Sequence, residues 1–148
     1  LTGEMQAQWY RDVVCDRRSD ARWWALRLGE ELAGATALEG IQWENGLAEI
    51  SLIVDPERRG DGIGEAAVGL VLREAFERMR LQTVVAEVYE HNPARPFWLK
   101  MAKRLKAVVS MLPRRKWWDD RLHDATVVTF ARDNWPPDPE VTLHVQSA

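Results

Sequence analysis

Cysteine is almost absent from this chain: Cys15 stands alone among 148 residues. That excludes an internal disulfide framework and a thiolate metal site, and it fits a reducing compartment such as the cytosol. Flanked by Val14 and Asp16 on an expected helix, Cys15 reads as a partly buried structural thiol. His91, His123 and His144 show no metal-ligand spacing with it, so no metal site is read. Long apolar runs are also missing; none approaches the roughly 20 residues of a membrane span. The chain opens at Leu1-Thr2-Gly3 without Met, a basic leader or an apolar leader segment, so no targeting signal is visible and part of the N-terminus is expected to lie upstream. Ser51 sits mid-strand without a nucleophile elbow. Phenols are scarce, since Tyr10 and Tyr89 are the only tyrosines.

Tryptophan, by contrast, is abundant, with 8 residues that read mainly as packing groups because each buries a large apolar area and needs one hydrogen-bond partner. At 17.0 kDa, with 46% hydrophobic and 29% charged residues, the composition is that of a single globular domain. We place that domain at residues 1–135 and read 136–148, which begins Pro136-Pro137-Asp138-Pro139, as an extended tail. The net charge of −3 conceals an uneven layout. Residues 1–94 carry −7, residues 95–132 carry +7 and residues 133–148 carry −3. The basic block, with Trp117 and Trp118, suits an acidic partner or phosphates; overall acidity and the lack of a known module disfavour nucleic acid.

The densest signal is Ile50-Ser51-Leu52-Ile53-Val54-Asp55-Pro56-Glu57-Arg58-Arg59-Gly60-Asp61-Gly62-Ile63-Gly64. An apolar strand breaks at Asp55-Pro56 into a glycine-rich turn and restarts as a helix near Ile63. Glycines let the backbone take positive φ and approach a ligand closely, while the helix start aims free N–H groups and its positive dipole end at the same place. Arg58 and Arg59 add charge. A dinucleotide fingerprint fails because the sixth position counted from Gly60 is Glu65, and a Walker loop fails because Glu65, a carboxylate, follows Gly64 where Lys is needed. What remains is Arg-x-x-Gly-x-Gly at Arg59, Gly62 and Gly64.

Periodicity predicts a helix from Glu4 to about Arg17, strands at Arg22–Leu28, Leu32–Leu38 and Leu47–Val54, and a helix from Ile63 to about Met79. Asn45-Gly46 is the strongest turn signal. A buried strand at Thr83–Tyr89 precedes a helix with Asn92 as cap and Pro93 in its first turn, running to about Leu105. Strands at Ala107–Leu112 and Ala125–Ala131 are joined by Pro113–Asp124. The strand, helix and strand of residues 47–89 form a right-handed crossover, which sets the cradle at the carboxyl end of strand 47–54.

The Arg-x-x-Gly-x-Gly spacing resembles the pyrophosphate-binding signature of the GNAT superfamily of acetyl-CoA-dependent N-acetyltransferases. Ala48-Glu49-Ile50, Ala86-Glu87-Val88-Tyr89-Glu90-His91-Asn92-Pro93-Ala94 and Trp117-Trp118-Asp119-Asp120-Arg121-Leu122-His123-Asp124-Ala125 extend the resemblance over about residues 4–135, and are similar to the branch that includes ribosomal-protein-alanine acetyltransferases. It implies an α/β fold with a mixed sheet, the acyl-CoA N-acyltransferase fold, lacking its first strand and first helix. It also implies that the amides of Gly60, Asp61, Gly62, Ile63 and Gly64, with Arg58 and Arg59, hold the pyrophosphate of coenzyme A. Ile53 and Val54 offer backbone groups to the pantetheine arm and thioester oxygen, and Asn92 binds the pantetheine side. Arg95 belongs to the same cofactor-binding set.

Amine acetylation requires a base for the ammonium, stabilisation of an oxyanion and, where needed, an acid for the thiolate. Glu49 is the base candidate; its alternative is an exposed strand carboxylate in a cross-strand pair. The family commonly follows its Asn with Leu-Tyr-x-x-x-Gly-Phe, whose Tyr supplies the acid. Here Trp98 or Leu99 takes that position and Ala102-Lys103 replaces Gly-Phe. A thiol of pKa ~8.5 leaves largely unaided, and Tyr89 or His123 stands as a substitute, with packing and a loop hydrogen bond as their plain alternatives. The expected function is therefore acetyl transfer from acetyl-CoA to a primary amine, on a protein N-terminus or a small molecule, in the cytoplasm. The rival is an inactive binding or structural module of the same fold. Expected partners are acetyl-CoA and an amine of open class, with a homodimer admitted and no membrane.

Overall fold

The computed structural model describes residues 3–14 and 20–135. Cys15, His144, the end of the first expected helix and the tail 136–148 lie outside the described residues. Helix α1 (Gly3–Trp9) runs on through a π turn at Tyr10–Val14. The strands are β1 (Arg22–Leu28), β2 (Glu31–Gln42), β3 (Leu47–Val54), β4 (Thr83–Tyr89), β5 (Val108–Trp118) and β6 (Arg121–Ala131), and they form one sheet in the order β1-β2-β3-β4-β6-β5. Helix α2 (Ile63–Arg73), extended by a π turn to Arg78, crosses from β3 to β4, and α3 (Arg95–Arg104) leads from β4 towards β5.

Because α2 carries the chain back across the sheet, β3 and β4 are parallel while every other pair is antiparallel. Their ladder is short: Leu47↔Thr83, Ala48↔Val84 and Glu49↔Val85. At its closed end the Gly46 carbonyl accepts both Gln82 N–H (2.7 Å) and Thr83 N–H (3.0 Å). Gly46 holds φ +63°, and a side chain there would meet Gln82. Past Glu49 the strands part, β3 staying with β2 as far as Val54 and β4 staying with β6 as far as Tyr89. The result is a wedge that opens towards the carboxyl ends.

One sheet face is apolar. Leu38, Ile50, Val84, Val88, Val128 and Phe130 pack with Val68, Val71, Leu72 and Phe76 of α2 and Trp98, Met101 and Leu105 of α3. Strand alternation sends Trp23, Ala37, Glu39, Glu49, Ser51 and Glu87 to the other face, where Trp9 of α1 meets Trp23 edge-on at 5.2 Å.

Several boundaries differ from expectation, and β2 runs on to Gln42 instead of stopping at Leu38. Asn92 caps a turn rather than the helix: its Oδ1 accepts Ala94 N–H (2.9 Å), the helix N-cap falls at Ala94, and Pro96 rather than Pro93 occupies the first turn. Pro113 does not end β5, because an edge strand tolerates proline; a bulge after Leu112, with Arg114 at φ +55° donating its N–H to Asp124 (2.8 Å), lets pairing resume at Lys116↔His123. The expected connector 113–124 is thus mostly hairpin. Asp119 and Asp120 both hold positive φ, 50° and 57°, in the two-residue turn geometry that matches hairpin twist, a place where glycine would have been the readable signal.

Candidate active site

The cradle begins where Asp55 stops β3. Its Oδ1 accepts Glu57 N–H (3.0 Å) and its carbonyl accepts Arg58 N–H (2.9 Å), closing one turn over Pro56–Arg58. Gly60 (φ +89°) and Gly62 (φ +81°) then take left-handed conformations that cost an L-residue about 1–2 kcal/mol. Gly62 is the N-cap of α2 and supplies no side-chain acceptor. Among the described residues nothing accepts the amides of Gly60, Asp61, Gly62, Ile63, Gly64 or Glu65, so a row of donors faces outward at the helix start. Gly64 has a different reason to be glycine: it is helical, and an added Cβ would lie 3.2 Å from the Phe97 ring.

Charge around the cradle is arranged in favour of an anion. Glu65, the one carboxylate in the first turn of α2, is held by Lys100 and Arg104 of α3, and the hydrogen bond from Lys100 pushes its pKa below the ordinary value against the opposing effect of burial. Arg58 pairs with Glu31. Arg59 is exposed and makes no ion pair among the described residues, leaving it the available cation. Asp61 is exposed.

The wedge places Ile53 and Val54 beside the cradle, on a strand whose β4 side carries no ladder. Ile53 is exposed, and Gly34 of β2 is packed so closely on its carbonyl that no side chain fits there. β3 is thus pressed against β2 where it has left β4.

Glu49 marks the point of separation. Glu39 lies opposite it in the β2–β3 register, and Glu87 lies two residues beyond its β4 partner Val85. Glu49 is exposed on its strand, as its alternative reading expected; desolvation of the carboxyl by its surroundings, then the charges of Glu87 and Glu39, raise its pKa, and Arg115 partly offsets them. The neighbours are themselves anchored: Ser51 Oγ donates to Glu39 at 2.5 Å, and Arg115 donates to both oxygens of Glu87 at 2.8 and 3.4 Å. Glu39, Glu87 and Arg115 were not read from sequence, because only strand register brings them to Glu49; the alternation of Glu87 with buried Ala86 and Val88 was the available signal.

At the open end Tyr89 stacks on His91 (6.1 Å, 6°), and His91 stacks on Trp118 (4.3 Å, 9°). The Lys116 ammonium lies 4.6 Å from the centre of the Tyr89 ring. His123 is buried; Nε2 donates to the Trp118 carbonyl (2.9 Å) and Nδ1 lies 2.9 Å from Glu90. It joins the hairpin to the end of β4. Arg95 donates from Nε to Thr126 Oγ1 (3.0 Å), which directs it towards β6. Trp98 packs in the core against Phe97 (5.2 Å) and Phe130 (6.5 Å), and Leu99 is half-buried. The sequence position of the missing phenol is thus occupied by packing groups, and Tyr89 is the tyrosine beside the wedge. No group of three potential metal ligands occurs among the described residues.

A family model described as the acetyltransferase (GNAT) family matches residues 2–102. No curated protein matches the chain. Among solved structures, a mutant of the spermidine N-acetyltransferase SpeG from Vibrio cholerae superposes with a TM-score of 0.77 at 17% identity over 90% of this chain and 77% of that one. A chimera of that enzyme with hSSAT gives 0.81 at 17% identity, over 93% and 81%. The dodecameric spermidine N-acetyltransferase of the same organism, in an intermediate state, gives 0.78 at 17% identity, over 92% and 78%. At these identities the likeness is one of fold.

Proposed function

The chain belongs to the acetyltransferase (GNAT) family, and from that premise we propose that it transfers the acetyl group of acetyl-CoA to a primary amine in the wedge between β3 and β4. The observation that carries this reading is the juxtaposition of the free amides at Gly60–Glu65 with a sheet that opens directly beside them, at the residue that holds a raised carboxylate pKa. In this proposal the cradle amides and Arg59 hold the pyrophosphate, and the unpaired edge of Ile53 and Val54 aligns the pantetheine arm. Asn92, whose Oδ1 is engaged by Ala94, has its amide NH₂ left to donate; Arg95, tied to Thr126, serves the same end of the site less directly.

Glu49 takes the proton of the incoming ammonium, directly or through water. A base works best when its pKa approaches the working pH, and desolvation of Glu49, with the charges of Glu87 and Glu39, moves it in that direction. Tyr89, at the carboxyl end of β4, is the candidate donor to the departing sulfur.

For the acceptor, we infer a small amine that carries more than one positive charge. Three carboxylates on one sheet face, with Arg115 as their cation, support it, as does the substrate of the similar spermidine N-acetyltransferases. The ribosomal-protein-alanine branch suggested by sequence would instead require a protein N-terminus. Self-association, expected as a homodimer, is part of the proposal on the strength of the dodecameric neighbour, and so is a cytoplasmic setting; no described helix is long and apolar enough to cross a membrane. Acetyl transfer measured with spermidine, a diamine, a monoamine and an alanine-initiated peptide tests the acceptor. A higher kcat/KM for the polycations supports this reading, and a preference for the peptide returns it to the protein N-terminus.

A further inference from the structure

The hairpin of β5 and β6 lies beyond the residues matched by the family model, and it brings a row of cations to the carboxyl end of β4. Arg115 pairs with Glu87, and Arg121 approaches Glu90 at 3.7 Å. Lys116 faces Tyr89 instead, with its ammonium 4.6 Å from the ring centre. It is exposed and makes no ion pair among the described residues, so its charge is aimed at a ring where its neighbours' charges meet carboxylates.

A bulge produces this placement. Leu112 stands opposite Ala125 and the next pair is Lys116 opposite His123. A regular ladder would have put Arg114 opposite His123, and bulges are a common way to re-aim a side chain. β6 lies between β5 and β4 and offers only Ala125 opposite Tyr89, which leaves the long lysine side chain a path across it. The tip is fixed as well. His123 Nε2 donates to the Trp118 carbonyl, Trp118 stacks on His91, and His91 stacks on Tyr89.

We propose that Lys116 is a positioning residue for acetyl transfer, holding the Tyr89 ring and stabilising the phenolate that forms when Tyr89 gives its proton to the departing sulfur. The inference rests on the reading of Tyr89 as that donor. In the tetrahedral adduct of amine and acetyl-CoA, the C–S bond breaks with its electron pair going to sulfur, and the Tyr89 hydroxyl supplies the proton. The O–H electron pair stays on Tyr89 as phenolate, and water later returns the proton. Over a neutral phenol an ammonium meets only the ring quadrupole; over a phenolate it meets a full negative charge spread into the ring. An attraction that grows as the reaction proceeds speeds the chemical step without tightening substrate binding. Glu87 and Glu90 are already matched by Arg115 and Arg121, so the charge of Lys116 is the one left for the phenolate.

Single-turnover acetylation of the fastest of the four acceptors named above tests this in wild type, Lys116→Met, Lys116→Arg, Tyr89→Phe and the double variant Tyr89→Phe/Lys116→Met. Lys116→Met is expected to slow transfer about three- to tenfold at unchanged acetyl-CoA affinity, and Lys116→Arg to keep most of the rate. In the Tyr89→Phe background the Lys116→Met change has no further effect, because no phenolate forms. The inference alone is overturned by a Lys116→Met rate equal to wild type, by an equal loss with and without the Tyr89 hydroxyl, by a loss confined to acetyl-CoA affinity, or by Lys116→Arg as slow as Lys116→Met. A wild type that transfers to none of the acceptors contradicts the acetyl-transfer reading, and this inference with it.

Discussion

The two ends of the β3–β4 pair have opposite tasks. At the closed end three residue pairs form a regular parallel ladder, and the Gly46 carbonyl ties two successive amides of the β4 side. At the open end the same two strands bind only their outer neighbours, so the backbone between Ile50–Val54 and Ala86–Tyr89 is free to meet a ligand. A sheet normally pairs every backbone group it buries. Where it leaves a gap in its middle, something else is accommodated there, and the closed end is what keeps that gap at a fixed width.

The largest effect is expected from breaking the closed end. Gly46→Val places a branched side chain at φ +63° and against Gln82, and should lower unfolding free energy by about 1–3 kcal/mol in a urea titration. Next comes the cradle at the open end. Gly62→Glu adds a side chain at φ +81° and a negative charge beside free amides, and should weaken acetyl-CoA binding at least tenfold, about 1.4 kcal/mol, by calorimetric titration. Equal affinity would show that the cradle does not hold acetyl-CoA.

The closed end and its packing were legible in the sequence, and the open end only in part. Asn45-Gly46 announced the turn, the β3 and β4 boundaries follow from apolar runs, and the cradle follows from glycine spacing. Those are local signals. Glu39, Glu87 and Arg115 become neighbours of Glu49 only through register across five strands, β2, β3, β4, β6 and β5, which no single segment encodes. Trp98 illustrates the reverse case: aligned with a phenol by motif, it faces the core because the helix begins at Arg95 and places residue 98 on the apolar side. The long β5–β6 hairpin was hidden by Pro113 and by a turn made of two aspartates instead of glycine.

Smaller effects sharpen the contrast. Arg115 lowers the pKa of Glu49, so Arg115→Gln should move the basic dependence of kcat/KM to higher pH, by less than about one unit given the exposure of Arg115. A profile that stays in place or moves to lower pH would separate Arg115 from the base. The smallest change is in acid stability. Glu65 has a depressed pKa in the folded state, so its pairing with Lys100 and Arg104 stabilises the fold above the ordinary value of 4.5, and that contribution is lost as pH falls through the lower folded value. Glu65→Gln should therefore lower stability at pH 7 by less than about 1 kcal/mol and flatten the loss below pH 4.5.

Whether acetyl transfer takes place in the wedge with Glu49 as its base is read from single-turnover acetylation of a polyamine by wild type and Glu49→Gln, followed across pH. Transfer by the wild type is expected, with a fall of about 10²-fold or more in Glu49→Gln at preserved acetyl-CoA affinity, and with loss of the acidic limb governed by that carboxylate. An unchanged rate and pH profile in Glu49→Gln, or tight acetyl-CoA binding by the wild type without transfer to any amine tried, would contradict it.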